Sequence, residues 1–164
     1  LQLSESESVG VVSDKEKTDV WVNNICQRVI QEAKGKQNTG VVLQFDSDLP
    51  DDFKIRTSSY RLKNALTHLV DNAMKFTEKG SVELRCELQD GQVRFIVTDT
   101  GCGIKKEDHE RIFETFQKGD DFKVGVGLGL PICRRLVNSL GGEVCLDATY
   151  TDGARFIISL PCGD

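Results

Sequence analysis

The first residues suited to chemistry are four polar side chains at helical spacing, Asn64, His68, Asn72 and Lys75. Because they are four, four and three residues apart, an amide, an imidazole and an ammonium would share one face of a helix. Such a ridge is a candidate ligand-facing surface. The alternative is an ordinary solvated helix face, and the ridge alone does not decide between the two.

A second candidate is the segment DTGCG at 99–103, which places the carboxylate of Asp99 at the end of a predicted strand. The two glycines that follow, Gly101 and Gly103, allow a tight turn and let the backbone approach a flat ligand closely. A DxGxG pattern by itself is equally compatible with a simple turn.

The third candidate is the glycine-rich segment GVGLGL at 125–130, which runs directly into a predicted helix. Glycines before a helix N-terminus expose N–H groups and the positive end of the helix dipole to phosphate oxygens. Pro131 fits the first helical turn, where its missing N–H is not needed. The segment is not a dinucleotide fingerprint, because no strand immediately precedes it and no ribose-binding acid follows at the expected distance, and it lacks the GK[ST] ending of a P-loop.

Hydrophobic periodicity predicts the elements that must position these residues. Apolar residues at helical spacing predict helices at 19–34, 59–76 and about 130–140, with a short helix near 106–113. The first helix is expected to begin near Thr18 or Asp19. Runs rich in β-formers predict strands at 41–47, 81–89, 92–99, 142–148 and 154–160. Hairpin turns are expected at 90–91 and 151–153. The pattern indicates an α+β fold with helices covering one side of a mixed, largely antiparallel sheet.

Composition limits the class of protein. The chain has 164 residues, 38% of them hydrophobic and 29% charged, which fits one compact domain. Its net charge of −5 and the lack of a clustered basic surface argue against a nucleic-acid partner. Six scattered cysteines lack metal-ligand spacing and are expected to be reduced thiols in a cytosolic compartment. No apolar run approaches the roughly 20 residues of a membrane span, so this piece is expected to be soluble.

Taken in chain order, the polar segments closely resemble the N, G1, F and G2 boxes of the histidine-kinase catalytic domain. The matching segments are 72–76, 99–103, 113–116 and 125–130. The family belongs to the Bergerat-fold ATPase superfamily shared with gyrase, mismatch-repair and chaperone ATPases. The resemblance covers about residues 18–161 and implies a two-layer α/β sandwich. Residues 1–17 are expected to be a linker or the end of a dimerisation and phosphoacceptor helix, and residues 18–164 the catalytic ATP-binding domain.

The resemblance implies a role for each matching residue. Asn72 would ligate Mg²⁺ bridging the triphosphate, and Lys75 would bind phosphate oxygens. Asp99 would accept a hydrogen bond from the exocyclic amine of adenine, which favours ATP over GTP because guanine presents a carbonyl there. The other expected ATP-binding residues are Phe76, Gly101, Gly103, Ile104, Gly125, Gly127, Leu128, Gly129 and Leu130.

The polar segment between Gly103 and Gly125 resembles the mobile lid that covers the nucleotide in this family. Phe113 and Phe116 are expected to anchor it by packing. Lys118 lies where many members have an arginine directed at the γ-phosphate, so it is expected to act as the transition-state cation. The alternative for Lys118 is an exposed loop lysine.

Three further residues bear on the chemistry. His68 stands four residues before Asn72, where histidine kinases commonly have another asparagine and hydrolytic ATPases have a glutamate that activates water. The missing glutamate favours transfer to an external histidine, and His68 itself is expected to take part at the nucleotide site. Ala154 replaces a small hydroxyl residue that many members place near adenine. His109 lacks the context of a phosphoacceptor helix and is expected to be a surface residue.

The resemblance therefore implies a protein-histidine kinase module of a two-component system, which uses ATP and Mg²⁺ to phosphorylate a histidine on a separate phosphoacceptor domain of the same protein. A response regulator would be an indirect partner. The full-length protein is expected to be a membrane-anchored homodimer with this domain on the cytoplasmic side. Two alternatives stay open, namely a hydrolytic Bergerat-fold ATPase and a nucleotide-binding pseudokinase or scaffold.

Overall fold

A computed structural model describes residues 12–13, 15–36, 40–109, 112–113 and 130–162. In chain order the elements are β1 (Thr18–Trp21), α1 (Val22–Lys34), β2 (Val41–Ser47), β3 (Lys54–Thr57), α2 (Ser59–Lys75), β4 (Gly80–Gln89), β5 (Gln92–Asp99), a 3-10 helix (Lys106–Asp108), α3 (Leu130–Ser139), β6 (Glu143–Leu146) and β7 (Ala154–Pro161). The predicted strands and helices of the main fold are all present, with bounds shifted by a few residues. Of the short helix predicted near 106–113, a single 3-10 turn lies within the described residues.

Five of the described strands form one sheet in the order β2-β4-β5-β7-β6. β2 runs parallel to β4, and the remaining neighbours are antiparallel. The β4–β5 hairpin turns at Asp90 and Gly91, whose φ angles are 54° and 77°. Positive φ at both central residues is what a two-residue type I′ turn requires. The predicted mixed, largely antiparallel sheet is confirmed.

The sheet has one apolar face and one polar face because side chains alternate along each strand. On β5, Val93, Phe95 and Val97 are at most 1% exposed and belong to the core beneath the helices. On the other face of the neighbouring β4, Arg85 pairs with Asp46 and Asp48. The helices therefore cover a single face, and the predicted two-layer α/β arrangement is confirmed.

The helix α2 carries the polar ridge, and a cap and a buried face hold it in position. The hydroxyl of Ser58 accepts a hydrogen bond from the backbone N–H of Arg61 and caps the helix. Leu62, Leu66 and Leu69 are fully buried along its inner face. This packing fixes the rotation of the helix, and with it the direction in which the ridge residues point.

The expected start of the first helix was wrong. Residues 18–21 form β1, which pairs antiparallel with β3, and α1 begins at Val22. The pairing aligns Val20 with Ile55, and both side chains are buried, at 4% and 3% exposure. Burial of this pair outweighs the capping tendency of Thr18 and Asp19. Instead of a side-chain cap, the N–H of Val22 donates to the carbonyl of Phe53.

The six cysteines are free thiols, as expected. Cys26 and Cys86 are buried, with their Sγ atoms 3.2 Å apart between α1 and β4. Within the described residues, no helix has both the length and the apolar composition needed to cross a bilayer. Most of the segment 1–17 lies outside the described residues, but Val12 is buried and donates its N–H to the carbonyl of Ser139. The division of the chain near residue 18 stays a prediction.

Candidate functional site

A narrow cleft opens where the second half of α2 faces the end of β5, the beginning of β7 and the beginning of α3. The residues that line it are Asn72, Ala73, Phe76, Asp99, Gly103, Ile104, Leu130, Ala154 and Phe156. Apolar walls with a few convergent polar groups are typical of small-molecule sites. In this cleft the polar side chains among the described residues are those of Asn72 and Asp99.

The carboxylate of Asp99 lies at the bottom of the cleft and is only 4% exposed. Its Oδ1 accepts hydrogen bonds from the backbone N–H groups of Gly101, at 2.9 Å, and Ala154, at 3.1 Å. Both bonds use the same oxygen, so among the described groups the second oxygen stays available to a ligand. The carboxylate is thereby held by main chain on two sides, which fixes its orientation before any ligand binds.

Burial raises the pKa of the Asp99 carboxyl above its ordinary value, while the N–H groups of Gly101 and Ala154 oppose the shift. The cause is desolvation, because the charged form loses water that two hydrogen bonds replace only in part. A carboxylate in this condition gains more from an additional N–H donor than a fully hydrated one does. The site therefore favours a ligand that presents a hydrogen-bond donor to Asp99.

The turn after Asp99 lies so close to the end of α2 that it requires glycine. A Cβ atom at Gly101 would come within 2.3 Å of the carbonyl oxygen of Phe76. That same carbonyl accepts a hydrogen bond from the N–H of Cys102. Gly103 has a φ of 74°, a conformation that residues with a Cβ rarely adopt. The glycines predicted to shape the site are thus needed for its backbone geometry.

Asn72 contributes the second polar side chain of the cleft. It is 7% exposed, and its Nδ2 has no hydrogen-bond partner among the described residues. Since the two ends of an amide are assigned from their bonding partners, the buried terminus without a partner could present either the oxygen or the nitrogen to a ligand. An amide oxygen is a suitable donor for Mg²⁺. The described residues contain no group of three or more His, Cys, Asp or Glu side chains that could hold a metal alone, so a metal here would need ligand oxygens as well.

Lys75 and Phe76, at the C-terminal end of α2, differ in the spaces that they line. Phe76 lines the cleft and also borders an adjoining groove. Lys75 is exposed and lines that groove together with Lys79 and the turn at Gly101. The groove is open and is lined by two ammonium groups and by the carboxylate of Glu78, so its charged side chains carry a net positive charge, which suits the charged end of an anionic ligand.

The other predicted site residues differ in how the structure places them. Ile104 and Leu130 line the cleft, and their contact with ATP stays a prediction. His68 is half-buried one turn before Asn72, and it is not among the described residues that line the cleft. Five predicted residues lie outside the described residues: Lys118, Gly125, Gly127, Leu128 and Gly129.

The beginning of the segment that follows the glycine turn is packed against the core. Phe113 meets Phe156 edge to face, with ring centroids 5.9 Å apart, and its role as an anchor of the lid segment stays a prediction. Phe116 lies outside the described residues. His109 was expected to be a surface residue; its ring is partly exposed, and Nε2 lies 3.0 Å from the carbonyl oxygen of Ile104. His109 therefore fastens the backbone of a cleft residue.

Sequence reasoning missed two residues that line the cleft, Ala73 and Phe156. Ala73 follows Asn72 on α2, and its small side chain leaves room for a ligand beside the helix. Phe156 lies two residues after Ala154 on β7, so the alternation of a strand places both on the same face. That alternation was the signal that could have identified Phe156.

A family model described as histidine kinase-, DNA gyrase B- and HSP90-like ATPase matches residues 57–164. Among curated proteins, the sensor protein GacS of Pseudomonas syringae pv. syringae is 40% identical over 109 residues, which are 61% of this chain and 12% of GacS. The adaptive-response sensory kinase SasA of Gloeothece citriformis is 29% identical over 164 residues, which are 97% of this chain and 42% of SasA. The chain thus spans less than half of the length of these relatives.

Solved structures agree with the sequence comparison. The catalytic domain of histidine kinase ThkA superposes with a TM-score of 0.79 at 28% identity, over 90% of this chain and 97% of that domain. Full-length ShkA in complex with AMPPNP superposes with a TM-score of 0.83 at 29% identity, over 98% of this chain and 34% of ShkA. Since the family model covers more than half of the sequence and these domains match nearly its whole fold, the chain belongs to the histidine kinase-, DNA gyrase B- and HSP90-like ATPase family, as a catalytic domain of the sensor histidine kinase type.

Proposed function

We propose that this domain binds ATP with Mg²⁺ and transfers the γ-phosphoryl group to a histidine on a separate phosphoacceptor domain of the same protein. The observation that carries the proposal is the buried carboxylate of Asp99, held by two backbone N–H groups at the bottom of an apolar cleft. Such a carboxylate suits a flat ligand that packs between apolar surfaces and donates one N–H hydrogen bond.

Adenine fits this description at the base end of the cleft. Its exocyclic amine donates to the free oxygen of Asp99, and Ile104, Leu130 and Phe156 supply apolar surface for the ring. Guanine presents a carbonyl oxygen at the same position, so two acceptors would face each other and the buried carboxylate would lose a donor. The cleft is therefore expected to prefer ATP to GTP.

The triphosphate extends from the cleft toward Asn72 and the adjoining groove. Asn72 provides a buried amide without a protein partner among the described residues, and Lys75 provides an exposed ammonium. Asn72 would hold Mg²⁺, which would neutralise phosphate charge when bound. On the family pattern, the backbone of Gly125, Gly127, Leu128 and Gly129 would contact the phosphates, and Lys118 would face the γ-phosphate.

Transfer is favoured over hydrolysis by the residue one turn before Asn72. Hydrolytic members of the superfamily carry a glutamate there as the general base for the attacking water, and this chain departs from that pattern with His68. The carboxylate of Asp99 is held by the backbone N–H groups of Gly101 and Ala154. In this position it would bind the base and would not act on water. Catalysis would then consist mainly of positioning and charge neutralisation, as phosphoryl transfer requires.

One difference from the family pattern bears on nucleotide binding, since Ala154 lacks the hydroxyl common at this position. Ala154 supplies its backbone N–H to Asp99, and that bond does not depend on the side chain. The loss of the hydroxyl therefore leaves the base-reading carboxylate in place. This contact supports a site that still binds nucleotide.

In the whole protein, this domain would act beside its own phosphoacceptor helices, in a homodimer, with a response regulator as the eventual phosphoryl acceptor. The net charge of −5 does not favour a nucleic-acid partner. A location on the cytoplasmic side fits its six free thiols.

The test follows radiolabel from γ-³²P-ATP in the longer protein that carries the phosphoacceptor helices. The expected product is an acid-labile phosphohistidine that forms with the wild type and with the exposed control Asp52→Asn, and is lost with Asp99→Asn. Release of phosphate without labelled protein would select the hydrolytic ATPase. Nucleotide binding with neither product would select the pseudokinase.

A further inference from the structure

The main-chain carbonyl of Asp99 has a partner of its own, outside the cleft. The hydroxyl of Tyr150 donates a hydrogen bond to this oxygen at 3.2 Å. Tyr150 lies in the loop between β6 and β7, half-buried, and it is not among the described residues that line the cleft. Asp99 is thus fixed at both ends, its carboxylate by N–H groups and its carbonyl by a phenol.

The ring of Tyr150 is itself held in place by Arg155 on β7. The guanidinium carbon lies 4.2 Å from the ring centroid, within the range of a cation–π interaction. The same side chain donates from Nε to the hydroxyl of Thr98 at 3.0 Å and approaches Asp147 at 3.7 Å. Arg155 therefore joins Tyr150 to the strand residue that directly precedes Asp99.

The loop that carries Tyr150 contacts Asp99 closely at a second point. A Cβ atom at Gly153 would come within 2.0 Å of the Asp99 carbonyl oxygen and 2.9 Å of its Oδ1. Asp147, at the other end of the loop, donates its N–H to the carbonyl of Arg155 and accepts from Thr149. The loop is consequently held by contacts at both ends. A change in the position of Tyr150 would therefore displace Asp99.

We propose that Tyr150, oriented by Arg155, is a positioning residue that sets the selectivity of the cleft for adenine. It does so by holding Asp99 through the hydrogen bond to its main-chain carbonyl. The inference rests on the proposed function, because it concerns the carboxylate that would read the base. Tyr150 touches no ligand. It restricts rotation of the strand end, so that the free oxygen of Asp99 stays directed at the position of the exocyclic amine.

The test is Tyr150→Phe, which keeps the ring and its contact with Arg155 but removes the hydroxyl. Affinities for non-hydrolysable ATP and GTP analogues are measured by calorimetry on the domain, with Tyr60→Phe as the matched control, since Tyr60 is 70% exposed. Loss of one neutral hydrogen bond predicts a weakening of ATP binding by about three- to tenfold. GTP binding, which gains nothing from an oriented carboxylate, should change by less than about twofold.

A merely structural role would give a different result, because general loosening would weaken both nucleotides equally and lower the melting temperature. Arg155→Lys removes the guanidinium that lies over the ring of Tyr150. It should lower the ratio of ATP affinity to GTP affinity, as Tyr150→Phe does. Hydrogen exchange at the N–H of Ala154 and of Gly101 should accelerate in Tyr150→Phe, as the carboxylate that accepts from them becomes mobile.

The outcomes separate this inference from the proposed function. If the wild type prefers ATP and Asp99→Asn loses the preference, while Tyr150→Phe and Arg155→Lys behave like the wild type, the positioning role is overturned and the nucleotide site stands. If the wild type binds neither analogue, the proposed function fails first. An equal loss for ATP and GTP in Tyr150→Phe would also overturn the positioning role.

Discussion

Ala154 donates its backbone N–H to Oδ1 of Asp99 at 3.1 Å, although the two residues are 55 positions apart in the chain. They are also partners in the β5–β7 ladder, so the strand register places a main-chain donor beside a buried carboxylate. The orientation of Asp99 therefore depends on the sheet and on the turn at Gly101, and no neighbouring side chain has to hold the carboxylate.

The first prediction concerns the stability of the ligand-free domain. Asp99→Asn should melt at an equal or higher temperature than the wild type at pH 7, because the amide oxygen can still accept from Gly101 and Ala154 while the buried charge is removed. The pKa of Asp99 is raised from 3.8 in the folded protein. Folding hence favours the neutral form of the carboxyl. The contribution of Asp99 to the free energy of unfolding is therefore lost as the pH rises through the pKa of the folded protein.

Thermal unfolding from pH 3.5 to 7.5 measures this effect. The difference between Asp99→Asn and the wild type should be small near pH 3.5 and grow as the pH rises. The exposed control Asp52→Asn should show no such trend. A variant that is clearly less stable than the wild type at pH 7 would show that the carboxylate stabilises the fold, against the expectation.

A second prediction compares two glycines. Gly153→Ala should destabilise the domain by about 1–3 kcal/mol, the usual cost of overpacking, because its Cβ would come within 2.0 Å of the Asp99 carbonyl oxygen. Gly35 is the control, since it has helical φ and ψ and its nearest neighbour would be 3.5 Å away. Gly35→Ala should be neutral or stabilising by roughly 0.4–1 kcal/mol. Urea denaturation of both variants gives the free energies of unfolding, and equal values would contradict the close approach of the loop.

The third prediction concerns the thiols. A disulfide reagent at pH 8 should modify Cys102 first, because it is exposed and lies in the turn beside the cleft. Cys145 should follow, since burial raises the pKa of its thiol and the thiolate is the reactive form. Cys133, whose pKa burial raises to about 12, and the buried pair Cys26 and Cys86 should react only after unfolding.

An ATP analogue extends the same experiment. Mass spectrometry of the labelled protein should show slower modification of Cys102 and an unchanged rate at Cys145, which lies on the edge strand β6 and is not among the described residues that line the cleft or the groove. Fast modification of Cys26 or Cys86 in the folded domain would contradict the described packing. Equal protection of both exposed thiols would mean that the analogue does not bind at the cleft.

A fourth prediction addresses the buried amide of Asn72. Asn72→Ala should weaken Mg²⁺-dependent binding of an ATP analogue by about tenfold or more, in the range for removing one partner of a charged group. In the absence of Mg²⁺ its affinity should be close to that of the wild type. The ligand-free melting temperature should change little, since a buried polar atom without a partner among the described residues contributes no favourable bond. Asn24→Ala, in an exposed position on α1, is the control, and an equal loss with and without Mg²⁺ would assign Asn72 to a different contact.

The sequence predicted those parts of the site that depend on local chain geometry. Asp99, Gly101 and Gly103 form a short motif whose glycines are required by neighbouring backbone, so their types alone indicated the turn. The long helix α2 was predicted because the apolar residues on its inner face repeat over several turns. Residues of this kind carry their structural reason within a few positions of the chain.

Other features depend on partners that are distant in sequence. β1 and β3 have four residues each, too few for a clear period, and they become strands only because Val20 and Ile55 bury each other. Tyr150 bonds to a carbonyl oxygen 51 positions away, and nothing in its local sequence indicates that partner. The ring of His109 finds its acceptor in the turn before it, although its polar neighbours indicated a surface position.

Calorimetric titration of the wild type and Asp99→Asn with non-hydrolysable ATP and GTP analogues, in the presence of Mg²⁺, tests the central claim most directly. The wild type should bind the ATP analogue at least about tenfold more tightly than the GTP analogue, the difference expected when a buried acceptor gains or lacks its donor. Asp99→Asn should lose that preference while remaining folded. Equal affinities of the wild type for both analogues, or an unchanged preference in Asp99→Asn, would contradict the assignment of Asp99 as the residue that reads adenine.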